Sequence, residues 1–171
     1  MSAIAPAMAL FLALVLTAAA AHKLLDSERL GAAAARLTGA PAALGTPISY
    51  AAAAVEGVAA LALAVPATRS IGLALAALLW TGYGAALLAA RARGETTLDC
   101  GCSFGAQRHG GDGIAPKRAF ALAVLATATL LVPHAGAIAI ETVFAGLALF
   151  TLYLTAGELA ALPATSREMV R

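Results

Sequence analysis

The 171-residue chain has two cysteines, Cys100 and Cys102, one residue apart in the segment Asp99-Cys100-Gly101-Cys102-Ser103-Phe104-Gly105. Two thiols make at most one internal bridge, and one bridge is no folding framework for a chain of this length. The spacing points to redox chemistry. Relaxed disulfides prefer Cα separations of about 5.5 Å, so a C-x-C bridge closes only with local strain. Gly101 eases that strain through its wider φ/ψ range, and a strained bridge is the more readily reduced. Arg108, His109, Lys117 and Arg118 follow in the same stretch and favour a thiolate if they fold over the pair. Asp99 works against a thiolate but is placed to relay a proton. A soft Cu(I) ion also accepts two thiolates, with His109 as a third donor, whereas zinc sites usually space their cysteines as C-x₂₋₄-C. Soft-metal binding and delivery is therefore the alternative to redox cycling, and a non-catalytic membrane scaffold is a third reading.

Other candidates lie within apolar runs. Glu56 falls near the middle of Ala51-Ala52-Ala53-Ala54-Val55-Glu56-Gly57. At that depth in a bilayer an ionisable group costs about 3 kcal/mol or more unless paired or neutral, which makes it a proton-relay candidate; the bland alternative is a hydrogen bond to a neighbouring helix. His22 and Lys23 close the first apolar run. His22 is a candidate proton carrier near neutral pH, and Lys23 reads as an anchor that snorkels to the headgroups. Trp80 and Tyr83 stand mid-run beside Gly82 and Gly84. A tryptophan away from the membrane interface is off pattern, so these rings are candidates to line a flat-ligand pocket, such as one for a quinone, or are simply core. Glu141 faces either the bundle or the headgroups. Glu158 reads as interfacial and His134 as structural.

The elements that must position these residues follow from composition. The chain is 61% hydrophobic and 12% charged, with a mean hydropathy of +0.88, against about 45–50% apolar and about 25% charged in soluble domains. Lipid is therefore the solvent. The apolar content is mostly Ala and Leu, so the crossings are helices and not a barrel. Apolar runs at 3–22, 46–65, 70–90, 117–132 and 137–159 predict an all-α bundle of about five transmembrane helices, a four-helix core plus one, in a single membrane domain over 1–171. The first run has no preceding Lys or Arg, unlike a signal peptide. In the connection at 23–45, Leu30, Ala33, Ala34 and Leu37 fall at helical spacing, with Asp26 as N-cap candidate and Gly39-Ala40-Pro41 as the stop. This predicts a short interfacial amphipathic helix, too short to span. Thr46-Pro47 is the expected start of the next helix. The cysteine loop runs over 91–117, and 163–171 is a polar tail.

Five crossings place the first connection, the cysteine loop and the tail on one side. That side carries ten Lys and Arg residues and the other only Arg69. The positive-inside rule then puts the cysteine loop at the cytoplasmic face. A net charge of +2 gives no reason to expect a nucleic-acid partner.

His22-Lys23 after the first helix, Val55-Glu56 in the second, and Asp99-Cys100-Gly101-Cys102 with Phe104-Gly105 after the third resemble the MauE branch of the MauE/DoxX-like membrane proteins. The likeness covers roughly residues 5–132 and rests chiefly on the cysteine segment. Ser103 stands where the family usually runs directly from Cys-Gly-Cys to Phe-Gly, and Lys117-Arg118-Ala119 stands where Arg-Asn often opens the next helix. The resemblance implies a thiol–disulfide role in a bacterial plasma membrane beside a thioredoxin-like partner. It also implies maturation of a disulfide-rich exported enzyme such as methylamine dehydrogenase. With no further cysteine, electrons leaving the redox-active disulfide need another carrier, for which a membrane quinone is the natural candidate, with Glu56 or His22 handling protons.

Overall fold

A computed structural model describes residues 4–95, 114–132 and 139–161. Six α-helices account for nearly all of them: α1 (Ile4–Leu25), α2 (Ser27–Thr38), α3 (Gly45–Ala64), α4 (Arg69–Ala92), α5 (Ile114–Leu130) and α6 (Ile140–Ala161). Short 3₁₀ turns at Ala42–Leu44 and Pro66–Thr68 lead into α3 and α4. Among the described residues, four segments are long and apolar enough to cross a bilayer: Ile4–Leu25, Ala42–Ala64, Pro66–Ala92 and Ile140–Gly157. At 17 residues, α5 is slightly short of the about 20 residues a full crossing needs. It packs along α4 as the fifth member of the bundle, in keeping with the expected architecture.

The centre is α1. Its residues Leu12, Val15 and Leu16 meet Ala59, Ala60 and Leu63 of α3, Leu73, Ala76 and Trp80 of α4, and Leu122 and Ala126 of α5 in one core cluster. Alanines at these contacts let the helix backbones approach closely, as membrane bundles require. The outer surface is as apolar as the core: Leu61, Leu78, Val124 and Phe144 are each about two-thirds or more exposed, which water would penalise and lipid does not. On the outside of α1 lies α6. Gly146 receives the Leu10 side chain, and Tyr153 meets Phe11 edge-on, ring centroids 5.8 Å apart. The Arg118 guanidinium of α5 lies 4.7 Å from the Tyr153 ring, so α6 ties α1 to α5.

Two details of the first connection differ from the sequence expectation. Asp26 makes no side-chain capping bond to α2; its carboxylate instead accepts from Arg29 Nε. The third helix begins at Gly45 with Leu44 in the cap position, one residue ahead of Thr46-Pro47. The reason is packing. Gly45 lies against the backbone of Gly31, where a Cβ would come within 2.2 Å of the Gly31 carbonyl oxygen. The expected stop does hold: Gly39 is left-handed at φ 72°, and the N–H groups of Gly39 and Ala40 both return to the Ala35 carbonyl. The apolar face of α2 (Leu30, Ala33, Leu37) is buried. Leu37 joins Leu87 and Ala90 of α4, with Ala115 of α5 packed on them. Arg93, just past α4, donates to the carbonyls of Arg36 and Leu37 at 3.1 and 2.8 Å. Both flanks of the cysteine segment are therefore held at the end of the bundle that α2 closes.

Candidate functional site

Beneath α2, three helices converge on one carboxylate. Glu56 of α3 is completely buried. Lys23 Nζ of α1 donates to both of its oxygens, at 2.7 Å to Oε1 and 3.0 Å to Oε2. Tyr83 OH of α4 donates to Oε1 at 2.7 Å, and the Lys23 ammonium lies 5.3 Å from the centroid of the Tyr83 ring. A carboxylate that accepts three hydrogen bonds, two of them from a cation, has its charge balanced where no solvent could do so. The arrangement can hold a proton on any of three groups, and passing one between them leaves the group neutral overall.

Local sequence explains why these side chains meet. On α3, Gly45, Ser49, Ala53, Glu56, Ala60 and Leu63 form a single buried stripe at helical spacing. On α1, Lys23 continues the line of Leu12, Leu16 and Ala19. This corrects the reading of Lys23 as a snorkelling anchor: its side chain is 6% exposed. Helical side chains lean toward their own N-terminus, and for a residue at the C-terminal end of α1 that direction leads into the bundle. The sequence carried part of the signal, since an intramembrane glutamate calls for a cation; that Lys23 keeps the register of the α1 core stripe shows only once the buried face of α1 is known.

The other candidates are distributed as follows. Trp80, one turn from Tyr83, is fully buried within the core cluster. His22 is half-buried in a separate ionic chain at the α1–α2 junction. Its Nε2 lies 3.0 Å from Arg29 Nη2; since a guanidinium only donates, that ring nitrogen accepts. Glu141 is exposed on the outside of α6. Asp99, Cys100, Cys102, His109 and His134, and the side chain of Glu158, lie outside the described residues.

A family model described as methylamine utilisation protein MauE matches residues 1–134. The chain belongs to the MauE family. No curated protein and no solved structure gives a match. In this MauE-family chain the matched region takes in α1 to α5, the Lys23–Glu56–Tyr83 group and the Asp99-Cys100-Gly101-Cys102 segment, and it stops short of α6. Family and helices together make it a multi-pass membrane protein of methylamine utilisation.

Proposed function

We propose that this MauE-family chain is a membrane thiol–disulfide oxidoreductase whose Cys100–Cys102 pair exchanges electrons with a thioredoxin-like protein. The observation that carries the reading is the C-x-C segment itself, inside the family-matched region, whose described flanks, Arg93 and Ala115, pack at the α2 end of the bundle. A partner thiolate attacks one sulfur of the bridge and forms a mixed disulfide, releasing the other sulfur as a thiolate. The partner's second thiolate then resolves the intermediate, leaving the partner oxidised and Cys100 and Cys102 as a dithiol. As the bridge re-forms, two electrons and two protons must leave that dithiol, and a membrane quinone would be the class of carrier able to take them. Lys23, Glu56 and Tyr83 are the groups that would hold the protons in transit, and the half-buried Tyr83 ring is the one a quinone could meet, since Trp80 is closed within the core. The same residues serve the reverse flow. The role this supports is maturation of a disulfide-containing or redox enzyme in a bacterial plasma membrane. The Lys/Arg bias is what supports a cysteine segment at the cytoplasmic face.

The test is trapping. In Cys100→Ser or Cys102→Ser, the remaining thiol of one variant should attack the oxidised thioredoxin-like protein and accumulate a mixed disulfide with it, because the chain's second thiol, which resolves the intermediate in the reverse flow, is gone. Full activity in both single variants would remove the proposal. A membrane-impermeant maleimide on intact cells tests the side: cytoplasmic cysteines stay unlabelled until the cells are opened.

A further inference from the structure

One buried polar atom stands apart from this group. Ser49 is 2% exposed, and its Oγ has no hydrogen-bond partner among the described residues. Helical hydroxyls elsewhere in the bundle return to the carbonyl four residues back: Thr17 to Ala13, Thr127 to Ala123 and Thr129 to Leu125, at 2.8–2.9 Å. Ser49 does not do so to Gly45, although the same option is open to it. A buried hydroxyl left unpaired is costly, and a small polar site between helices is satisfied most simply by water.

A water there would have a use. Ser49 lies one turn from Gly45, where α3 touches Gly31 of α2. It lies two turns from Glu56, about 10 Å along the same buried stripe at 1.5 Å per residue. Between them on that stripe stands only Ala53, which is small. From the other side, Lys23 reaches Glu56 with two bonds, and an ammonium has a third N–H to offer. At the α2 end lie the titratable groups His22, Asp26, Glu28 and Arg29, of which His22, Asp26 and Arg29 are already joined.

We infer that Ser49 marks a water-filled proton path from the α2 end of the bundle to Glu56. Protons enter between α2 and α3, pass water held by Ser49 and reach the carboxylate beside Lys23 and Tyr83. The path rests on the geometry of the ionic group and not on the cysteine chemistry, so either can fail alone.

The experiment uses the full chain in lipid vesicles and infrared spectroscopy. In Lys23→Met the Glu56 carboxyl has lost its cation, and acidifying the vesicles until it is protonated gives a carboxylic C=O stretch that Lys23→Met/Glu56→Gln lacks. On transfer to D₂O the band should shift within minutes, and adding Ser49→Val should slow the shift at least about tenfold by displacing the water. A band unmoved after hours in folded protein, or a Ser49→Val variant that exchanges as fast as its parent, overturns the path. Should Lys23→Met not fold, Ser49→Cys in a Cys100→Ser/Cys102→Ser background gives a second readout. A small cationic methanethiosulfonate reagent should modify it in intact vesicles, and an unreactive thiol there overturns the inference equally. Rapid exchange with inert cysteines would uphold the path while removing the redox proposal.

Discussion

Lys23→Met distinguishes a buried ion pair from a surface anchor more sharply than any other change. A snorkelling lysine has its charge in water, and replacing it leaves nothing stranded; the cost would be a few tenths of a kcal/mol. In this structure the replacement leaves Glu56, fully buried, with Tyr83 as its one remaining donor from the group. Breaking a buried pair by removing one partner costs about 3–5 kcal/mol, or roughly two to three and a half decades in the unfolding equilibrium at 1.4 kcal/mol per decade. Glu56→Gln strands the ammonium instead and should cost a similar amount. The double variant Lys23→Met/Glu56→Gln strands no charge. Its cost should fall short of the sum of the two by about 1.5–3 kcal/mol. Reversible unfolding in mixed micelles, read by circular dichroism over the full cycle, supplies all four corners. A Lys23→Met variant within about 0.5 kcal/mol of the parent, or a double variant equal to the sum of the singles, would refute the buried pair.

The other predictions follow from single contacts. Tyr83→Phe removes a 2.7 Å bond to the carboxylate and should cost about 1.5–3 kcal/mol in the same unfolding assay, as bonds to charged groups do. Gly45→Ala drives a Cβ to 2.2 Å from the Gly31 carbonyl and should lift α2 from α3, seen as faster proteolysis near Pro41. Gly57→Ala and Gly82→Ala, where a Cβ meets nothing within 4 Å, should leave the melting temperature unchanged or raise it. Arg93→Ala gives up two bonds to the end of α2 and should increase amide hydrogen exchange across Arg36–Gly39, leaving α3 unaffected.

The fold was legible because lipid simplifies the code. Runs of Ala and Leu of spanning length, broken at Gly39-Ala40-Pro41 and Pro66, leave little choice but helices, and the ends found for α1, α4 and α6 fall within a few residues of the expected ones. Glu56 could be singled out from depth alone. Its partners could not, because which faces of α1 and α4 turn toward α3 depends on packing among three helices, and hydropathy scarcely distinguishes those faces when nearly every position is apolar. Lys23 was misread for that reason: its place near a helix end suited an anchor, and only the continuation of the Leu12–Leu16–Ala19 line argued otherwise. Ser49 is not legible in the sequence, since a lone serine in a helix has no signature until its neighbours are fixed. The start of α3 moved to Gly45 because close contact with Gly31 outweighed local capping at Thr46.

The central claim is that Cys100 and Cys102 cycle between bridge and dithiol. Its most direct measurement is the mass of the chain after acid quench and alkylation, before and after mixing with the reduced thioredoxin-like protein. The account predicts an oxidised chain that takes no alkyl group at first and two after mixing. Two alkyl groups under oxidising conditions from the outset, or none after prolonged exposure to the reduced partner, would contradict it.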